Sequence, residues 1–291
     1  MAIDYEYLMG LPPLVVEQHF TARDTILYAL GVGAGIAATT TRPECLQFVY
    51  EKHLAALPTL PTVLAYPGFW AKDPKYGITW QKLLHRDQWI EIHAEIPIEG
   101  SVRGEMKIDG IYDRGADKGA LVSFSRRIFN ADSGAPIATV GQVNVLRADG
   151  GFGGPADQTP PRREVPGRIP DRLVRLATHA DQALLYRLCG DLNPLHADPA
   201  IAAAAGFERP ILHGLASFGV VGLAVVCEVC GFSAAKLRRL EARFSSPVYP
   251  GETLEVAIWH EGPGKAAVEA SVVERAVKVI GNGRIDYIPI G

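Results

Sequence analysis

A run rich in glycine and proline divides the 291-residue chain into two halves of similar length. Residues 149–170 contain five glycines and five prolines. Because glycine weakens and proline interrupts both helices and sheets, this run can support neither. We therefore interpret residues 149–170 as a linker between an N-terminal domain, residues 1–148, and a C-terminal domain, residues 171–291.

A similar helical pattern occurs in both halves and indicates an internal repeat. Residues 21–30 are similar to residues 178–188 if one residue is inserted. In each segment a threonine, Thr21 or Thr178, stands where it can cap a helix. An aspartate follows in the first turn, where the helix dipole favours a negative charge. The pattern therefore predicts two equivalent capped helices.

Alternating apolar and polar residues then predict four strands in each half. The predicted strands are 90–96, 101–111, 120–129 and 137–146 in the first half, and 240–244, 253–259, 266–273 and 277–287 in the second. The expected fold class is α+β, and each half is expected to be an antiparallel sheet wrapped around a central helix.

The most apolar stretch, residues 214–232, is interpreted as a buried helix and not as a membrane span. Glu228 interrupts it, and glycine recurs at positions 214, 219, 222 and 231. The first residues lack the basic and apolar regions of a secretory signal, and the last residues lack a peroxisomal signal of the Ser-Lys-Leu type. These features predict a cytoplasmic protein without a membrane partner.

Charge and cysteine content exclude several other classes. Lys and Arg number 29 against 32 Asp and Glu, and the basic residues are scattered, so no nucleic-acid partner is expected. Four cysteines are too few and too unevenly spread for a disulfide scaffold. Cys227 and Cys230 have the spacing of a redox or metal half-site. They lack a second ligand pair, so we interpret them as small buried side chains of the apolar helix.

The run from Gly190 to His196 places an acid, an amide and an imidazole around Pro194, which prevents a regular helix. Asp191, Asn193 and His196 therefore lie in a polar loop, where convergent chemistry is common, and the chain is expected to be an enzyme. Just beyond this loop, Asp198 before Pro199 has the pattern of a helix N-cap and is interpreted as structural.

The first residue of the predicted apolar helix, Gly214, is a candidate for oxyanion stabilisation. Its backbone N–H can point at a carbonyl with the positive end of the helix dipole behind it. His213, directly before it, is expected to brace the loop. The first half has no such arrangement: Gly33 falls where Asp191 stands when the repeats are superposed, and no counterpart of the polar loop follows.

Two sets of residues resemble a known family. Residues 186–199, 206–207 and 210–214 are similar to the R-specific enoyl-CoA hydratases, also called MaoC-like dehydratases. Residues 27–34 and 151–154 resemble the double hot-dog members, such as the hydratase part of peroxisomal multifunctional enzymes. The resemblance covers nearly the whole chain. It implies a tandem hot-dog fold, an acyl-CoA substrate, a homodimer, and reversible hydration of trans-2-enoyl-CoA to (3R)-3-hydroxyacyl-CoA without a cofactor.

The same resemblance implies roles for the loop residues. Hydration of an unsaturated thioester needs a base for the water, an acid for the α-carbon, and donors for the enolate oxygen. Asp191 and His196 are expected to act on one water. Asn193 is expected to orient the water or the loop, and Gly214 to form the oxyanion hole. The first half is expected to shape the acyl tunnel.

Contacts with the substrate are also implied by the resemblance. His85, the backbone at Arg86, and Phe244 match substrate-contacting positions, although Arg86 stands where the family has glycine. A cation for CoA corresponds either to Arg114 or to Lys118, and a two-residue insertion leaves this choice open.

Other site types are not expected from the sequence. The glycines at 31, 33 and 35 follow a helical pattern instead of a strand, which argues against dinucleotide binding. His85, His93, His196 and His213 have no coherent ligand spacing, so no metal site is expected. Two rival functions remain: a hot-dog thioesterase, and a non-catalytic acyl-CoA-binding scaffold. The complete set of loop residues argues against the scaffold.

Overall fold

A single ten-stranded antiparallel sheet runs through both halves of the computed structural model, which describes residues 3–157 and 164–290. The first half contributes β1 (Leu14–Phe20), β2 (Leu83–Ile92), β3 (Gly100–Asp113), β4 (Ala120–Asn130) and β5 (Pro136–Leu146). The second contributes β6 (Arg172–Ala177), β7 (Leu237–Phe244), β8 (Thr253–Gly262), β9 (Lys265–Val272) and β10 (Val277–Tyr287).

The strand order shows that the two halves repeat one topology. The order is β1-β3-β4-β5-β2 in the first half, followed without a break by β7-β10-β9-β8-β6 in the second. The halves join where β2 pairs with β7, from Asp87 opposite Arg243 to Glu91 opposite Arg239. The internal repeat is therefore a repeat of structure, with an approximate twofold relation about the β2–β7 junction.

Six α-helices and several short 3-10 helices complete the described fold. The α-helices are α1 (Tyr5–Met9), α2 (Ala22–Gly31), α3 (Ala34–Thr40), α4 (Gln182–Tyr186), α5 (Pro199–Ala204) and α6 (Gly214–Glu228). The 3-10 helices are Pro43–Phe48, Leu60–Thr62, Trp70–Lys72, Pro74–Tyr76, Trp80–Lys82, Arg187–Cys189, Pro194–His196 and Ala234–Lys236.

The apolar helix α6 forms the core of the second half. It begins at Gly214, as predicted, and twelve of its fifteen residues are buried. It ends at Glu228 instead of Phe232, so Cys230 lies beyond the helix, although both Cys227 and Cys230 are buried as expected. No helix among the described residues has the length and apolar character needed to cross a bilayer.

Close packing joins α6 to the first half. A Cβ at Gly219 would lie 2.4 Å from a methyl carbon of Val32, and a Cβ at Gly222 would lie 2.5 Å from the methyl of Thr59. Both distances are too short for a side chain, so the glycines let the helix approach segments of the other half. The packing of α6 therefore fixes the two halves against each other.

The first half fills its sheet differently. The stretch between α3 and β2 occupies the chain position that α6 occupies in the second half, and it forms only 3-10 turns and irregular segments. One of these turns, Leu60–Thr62, packs against β5 and α2. The ten-residue helix α2 corresponds instead to α4. The first half therefore keeps the sheet without a long central helix.

The N-caps of the two repeated helices are not equivalent. Thr21 caps α2 as predicted, and its N–H donates to Asp24 Oδ2 at 2.8 Å. The predicted cap at Thr178 is wrong, because α4 begins after Asp181 and the Thr178 hydroxyl donates to the carbonyl of Glu252 at 2.7 Å. Asp181 is therefore the N-cap residue and does not lie in the first turn.

The observed strands and the linker agree with the sequence predictions in part. The eight predicted strands are present, but β2 ends at Ile92 instead of residue 96 and β9 ends at Val272 instead of residue 273. The edge strands β1 and β6 were not predicted. In the linker, residues 149–157 and 164–170 contain neither helix nor strand, apart from one bridge between Asp113 and Ala156. Residues 158–163 lie outside the described residues.

Candidate active site

The loop between α4 and α5 is held in shape by its own polar side chains. Gly190 has a positive φ of 122°, which lets the chain turn after the 3-10 helix Arg187–Cys189. Asp191 Oδ1 then accepts the N–H of Asn193 at 3.2 Å, and Asn193 Oδ1 accepts the N–H of Leu195 at 3.2 Å. The amide of Asn193 therefore fixes the loop through its oxygen.

His196 is buried and its ring orientation is set by one backbone contact. The side chain is 8% exposed, and Nδ1 lies 2.8 Å from the carbonyl oxygen of Ile211. Because a carbonyl only accepts, Nδ1 carries the proton and Nε2 keeps its lone pair. Burial lowers the pKa of His196, which favours the neutral ring. The imidazole is thus a proton acceptor at Nε2.

His213 links this loop to the start of α6. The residue is 1% exposed, and its ring stacks on that of His196 with 3.7 Å between centroids and 28° between the ring planes. Its Nε2 donates to the carbonyl of Asp191 at 3.1 Å. Burial, with His196 adding to it, lowers the pKa of His213 to about 3, so the ring is neutral. His213 therefore braces the loop, as expected from the sequence.

The fold brings three possible metal ligands together. One side-chain atom each from Asp191, His196 and His213 lies within 4.8 Å of the other two. The sequence argument against such a group was wrong for these residues, because it used spacing along the chain, whereas His213 joins the group through the start of α6. The metal-free enzyme stays a prediction.

The N-terminus of α6 opens next to this group. His213 is its N-cap residue and makes no side-chain cap hydrogen bond, and no side chain accepts from the N–H of Gly214 in the part of the chain that the structure describes. An ideal Cβ on Gly214 would lie 3.5 Å from the ring of Phe244, and the ring of His85 packs edge-on against Phe244 at 4.9 Å. Gly214, Phe244 and His85 are therefore neighbours, as the resemblance implied.

The environment of His85 also favours a neutral ring. Burial lowers its pKa to about 4, although Asp87 and Asp191 oppose the shift. Its Nε2 lies 3.1 Å from the carbonyl of Asp87 and donates to it. The residue that follows it, Arg86, lies at a register shift in the pairing of β2 with β5, so its backbone leaves the regular ladder there.

The side chain of Arg86 is held by an acid at the junction between the halves. Arg86 Nε donates to Asp87 Oδ2 at 2.6 Å, and the same carboxylate accepts Nη2 of Arg243 at 3.0 Å. Arg86 Nη2 is buried without a hydrogen-bond partner among the described residues. Two cations on one carboxylate leave this corner of the site with a net positive charge.

Neither of the two alternative CoA cations contacts the loop in the described residues. Arg114 and Lys118 are exposed in the turn between β3 and β4. Arg114 Nε lies 3.7 Å from a carboxylate oxygen of Asp157, and the backbone N–H of Lys118 donates to Gly115 at 3.2 Å. The choice between them therefore stays open.

Sequence reasoning missed Tyr66, whose pKa is affected by the charge of Asp191, and Arg126, which lies against the Tyr66 ring. The guanidinium of Arg126 is 4% exposed, stands over the ring of Tyr66 at 5.4 Å, and donates from Nη2 to the carbonyls of Pro61 and Thr62 at 3.0 and 2.8 Å. Burial, with the charge of Asp191 nearby adding to it, raises the pKa of Tyr66 to about 12. Arg126 occupies an inward position of β4, which the alternation could have shown; Tyr66 lies in an irregular segment that has no pattern.

Two sequence families match this chain in tandem. The MFE-2 hydratase 2 N-terminal domain matches residues 18–148, and the MaoC like domain matches residues 161–283. Among relatives, the 3-hydroxyacyl-thioester dehydratase Y of Mycobacterium tuberculosis is 39% identical over 99% of both chains. The peroxisomal multifunctional enzyme type 2 of Mus musculus is 36% identical over 93% of this chain and 37% of its own length.

Solved structures agree with the strand topology. A MaoC-like dehydratase from Phytophthora Capsici superposes with a TM-score of 0.86 at 32% identity, over 98% of this chain and 99% of that one. A Mycobacterium tuberculosis protein with a double hot-dog fold has a TM-score of 0.59 at 14% identity, over 99% and 98%, which supports the fold alone. The predicted tandem hot-dog fold is confirmed, and the chain belongs to the MaoC-like dehydratase family, with an MFE-2 hydratase 2 N-terminal domain as its first half.

Proposed function

We propose that this chain is a hydro-lyase of fatty acid metabolism that adds water reversibly to trans-2-enoyl-CoA and forms (3R)-3-hydroxyacyl-CoA. The observation that carries the proposal is the convergence of Asp191, His196 and His213 at the N-terminus of α6, with the Nε2 of His196 left unprotonated by the Nδ1 contact to Ile211. Relatives named as a 3-hydroxyacyl-thioester dehydratase and a multifunctional enzyme with this domain pair support the same reaction class.

The proposed chemistry uses one water between the two side chains. Asp191 and His196 Nε2 both accept hydrogen bonds from it, which directs an oxygen lone pair at C3 of the enoyl thioester. One of the two takes a proton as the C–O bond forms, and the electrons of the double bond move toward the thioester oxygen. The same proton is then returned to C2, so the water is added without net consumption of acid or base.

Negative charge on the thioester oxygen is the second requirement. In the proposed mechanism the N–H of Gly214 donates to this oxygen, and the positive end of the fifteen-residue helix α6 stabilises the developing charge. His213 connects the two parts of the site, because its ring donates to the carbonyl of Asp191 and its backbone precedes the first residue of α6. The water-activating groups and the oxyanion donor are thereby kept at a fixed separation.

The proposed acyl tunnel runs into the first half, residues 1–148, where 3-10 turns replace a long central helix. His85 and Phe244 are placed to contact the thioester end of the substrate, with Arg86 and either Arg114 or Lys118 serving the CoA portion. We expect long or bulky acyl chains to be accepted, because the helix and loop around residues 31–35 are rich in small residues. A strict preference for four-carbon substrates would contradict this part of the proposal.

The proposal includes a metal-free and cofactor-free reaction, a homodimer and a cytoplasmic location. The dimer rests on the family resemblance, and its test is the mass of the purified protein in solution by light scattering. The proposed location is the cytoplasm, whereas the mouse relative is named as a peroxisomal enzyme. Imaging of the tagged protein in its source cells distinguishes the two compartments.

The decisive experiment mixes the purified chain with crotonyl-CoA and with a longer trans-2-enoyl-CoA. We expect the absorbance of the conjugated thioester to fall, chiral chromatography to give the R product, and no free thiol to appear. Release of thiol would instead identify a thioesterase, and binding without turnover would identify an acyl-CoA-binding scaffold. An S product would contradict the assigned stereochemistry.

A further inference from the structure

Two cysteines from different halves meet in the core, far along α6 from Gly214. Cys45 lies in the 3-10 helix Pro43–Phe48, and Cys227 lies in the last turn of α6. Their Sγ atoms are 3.5 Å apart, and both side chains are buried. This separation places the two sulfurs in hydrogen-bonding contact, with either atom as donor. A disulfide would require the sulfurs to approach from this contact to about 2.05 Å.

A partly exposed ion pair is formed by residues that lie near the two cysteines in the sequence. Arg42, one helical turn before Cys45, binds Glu228, which follows Cys227, at 2.8 Å, and the two side chains are 19% and 23% exposed. The hydrogen bond with Cys227, together with Arg42, lowers the pKa of Cys45, whereas the same hydrogen bond and burial raise the pKa of Cys227. The opposite directions of these shifts make Cys45 the more acidic thiol of the pair.

The other two cysteines lack these features. Burial raises the pKa of both Cys189 and Cys230 to about 12, and no thiol partner lies beside either one among the described residues. What separates them from Cys45 and Cys227 is geometry, because a disulfide needs a second sulfur within reach. The contrast identifies Cys45 and Cys227 as the reactive pair and provides two internal controls.

We propose that Cys45 and Cys227 form a redox-active dithiol that a peroxide converts to an intramolecular disulfide. The Cys45 thiolate attacks one peroxide oxygen, is oxidised to the sulfenic acid, and releases hydroxide. Cys227 loses its proton and attacks the Cys45 sulfur, the S–S bond forms, and the sulfenic oxygen leaves as water. In sum, two thiols and one hydrogen peroxide give one disulfide and two waters, and a small dithiol reductant restores the thiols.

The disulfide would tie the first half to the central helix of the second. It joins residues separated by 182 positions, so it strongly restricts the unfolded chain. Cys227 lies at the end of α6 opposite Gly214, so the catalytic loop is not disturbed. We therefore expect the oxidised protein to keep its enoyl-CoA turnover and to melt at a higher temperature.

The test uses the full chain with hydrogen peroxide as the oxidant. After oxidation the protein is denatured, free thiols are alkylated, and peptides are mapped without reduction. We expect a Cys45–Cys227 cross-linked peptide, alkylated Cys189 and Cys230, and a rise in Tm that dithiothreitol reverses. The mapping needs no variant, so its result does not depend on how well a mutant folds.

Matched variants sharpen the result. Cys227→Ser should abolish the cross-link and the reversible rise in Tm, whereas Cys230→Ser, an equally buried substitution nearby, should preserve both. Alkylated Cys45 and Cys227 after peroxide treatment, or oxidation confined to Cys189, would overturn the proposal. These readouts do not involve enoyl-CoA, so they are independent of the proposed hydratase function.

Discussion

The two halves of the molecule share one sheet topology but differ in what that sheet encloses. In the second half, α6 fills the sheet and its N-terminus meets the polar loop at His213. In the first half, 3-10 turns take that chain position, and Gly33, at a positive φ of 86°, stands where the repeat would place the acid. The difference shows that the shared sheet is not sufficient for a catalytic site. The site also needs a polar loop placed beside the N-terminus of a helix.

The halves also interlock at their equivalent helices. Gln182 Nε2 donates to the carbonyl of Gly31 at 2.8 Å, and an ideal Cβ on Gly31 would lie 3.3 Å from the backbone of Tyr186. The rings of Tyr28 and Tyr186 lie next to this contact, 6.1 Å apart and tilted by 56° to each other. The loop of the second half is therefore supported by residues of the first.

The largest expected effect comes from the residues that only the second half has. Asp191→Asn and His196→Ala should each lower kcat by about two to four orders of magnitude, because each removes a proton-transfer group. The measurement is the initial rate with crotonyl-CoA, with circular dichroism to verify the fold. Asp198→Asn, in the α5 cap of the same region, is the matched control and should retain near-normal kcat. A near-normal rate in either loop variant would show that the polar loop of the second half is not the catalytic difference between the two halves.

A smaller loss is expected at the helix end. Gly214→Pro removes the N–H but places proline at the first helical position, where it is well tolerated. We expect kcat to fall by about 10²–10³-fold with little change in KM, as for loss of one oxyanion donor. Gly214→Ala keeps the N–H, and its Cβ would make an ordinary contact with Phe244, so it serves as the control. Equal losses in the two variants would indicate packing instead of oxyanion stabilisation.

The buried histidines predict a dependence of stability on pH. The pKa values of His85 and His213 are lowered to about 4 and about 3 in the folded protein, so the unfolded chain binds protons that the folded chain does not. Their contribution is fully present above the unfolded pKa of about 6.5 and is lost as the pH falls below it. We expect each histidine to contribute on the order of 1–3 kcal/mol to this loss by pH 4.

Urea denaturation at several pH values between 7 and 4 measures the slope of the unfolding free energy against pH. His213→Gln should reduce it, whereas substitution of the exposed His53 should leave it unchanged. A slope identical in wild type and His213→Gln would show that this ring titrates normally in the folded state.

Substitution of the exposed cations Arg114 and Lys118 should change KM modestly. The result decides which of the two contacts the CoA portion of the substrate. Arg114→Ala or Lys118→Ala should raise KM for the CoA substrate by up to about fivefold without changing kcat, since an exposed ion pair contributes about 0–1 kcal/mol. Steady-state kinetics at two salt concentrations identifies the variant whose KM loses its salt dependence. If neither changes, the turn between β3 and β4 does not contact CoA.

The smallest effect concerns metal. Although Asp191, His196 and His213 could supply three ligand atoms, we expect dialysis against a chelator to change kcat by less than about twofold. Atomic absorption of the dialysed protein verifies removal of metal. A large loss of activity that is restored by a divalent cation would contradict the metal-free proposal.

Local signals account for the features that the sequence predicted. The polar loop, the start of α6 at Gly214 and the cap of Asp198 before Pro199 depend on residues within a few positions of one another. The bounds of the strands and the cap at Thr178 were less accurate, because Thr178 is held by Glu252 through a contact that only the folded sheet creates. The edge strands β1 and β6 are short, with only part of one face buried, and give a weak pattern.

Long-range contacts account for what the sequence did not give. The stacking of His213 on His196, the placement of Arg126 over Tyr66, and the meeting of Cys45 with Cys227 each join residues from separate elements. His85 and Phe244 were named through the family resemblance, not through any local pattern. Residues that converge only through topology leave no spacing for a single sequence to show.

The pairing of β2 with β7 has a consequence for the protein as a folding unit. A backbone ladder crosses the boundary between the halves, so neither half can detach without exposing two bare strand edges. Such edges pair readily with other chains, and a separated half would aggregate instead of folding alone. Cleavage in the linker should therefore leave the two pieces bound, and heat should melt them together in one transition. We therefore expect the two halves to unfold as one cooperative unit.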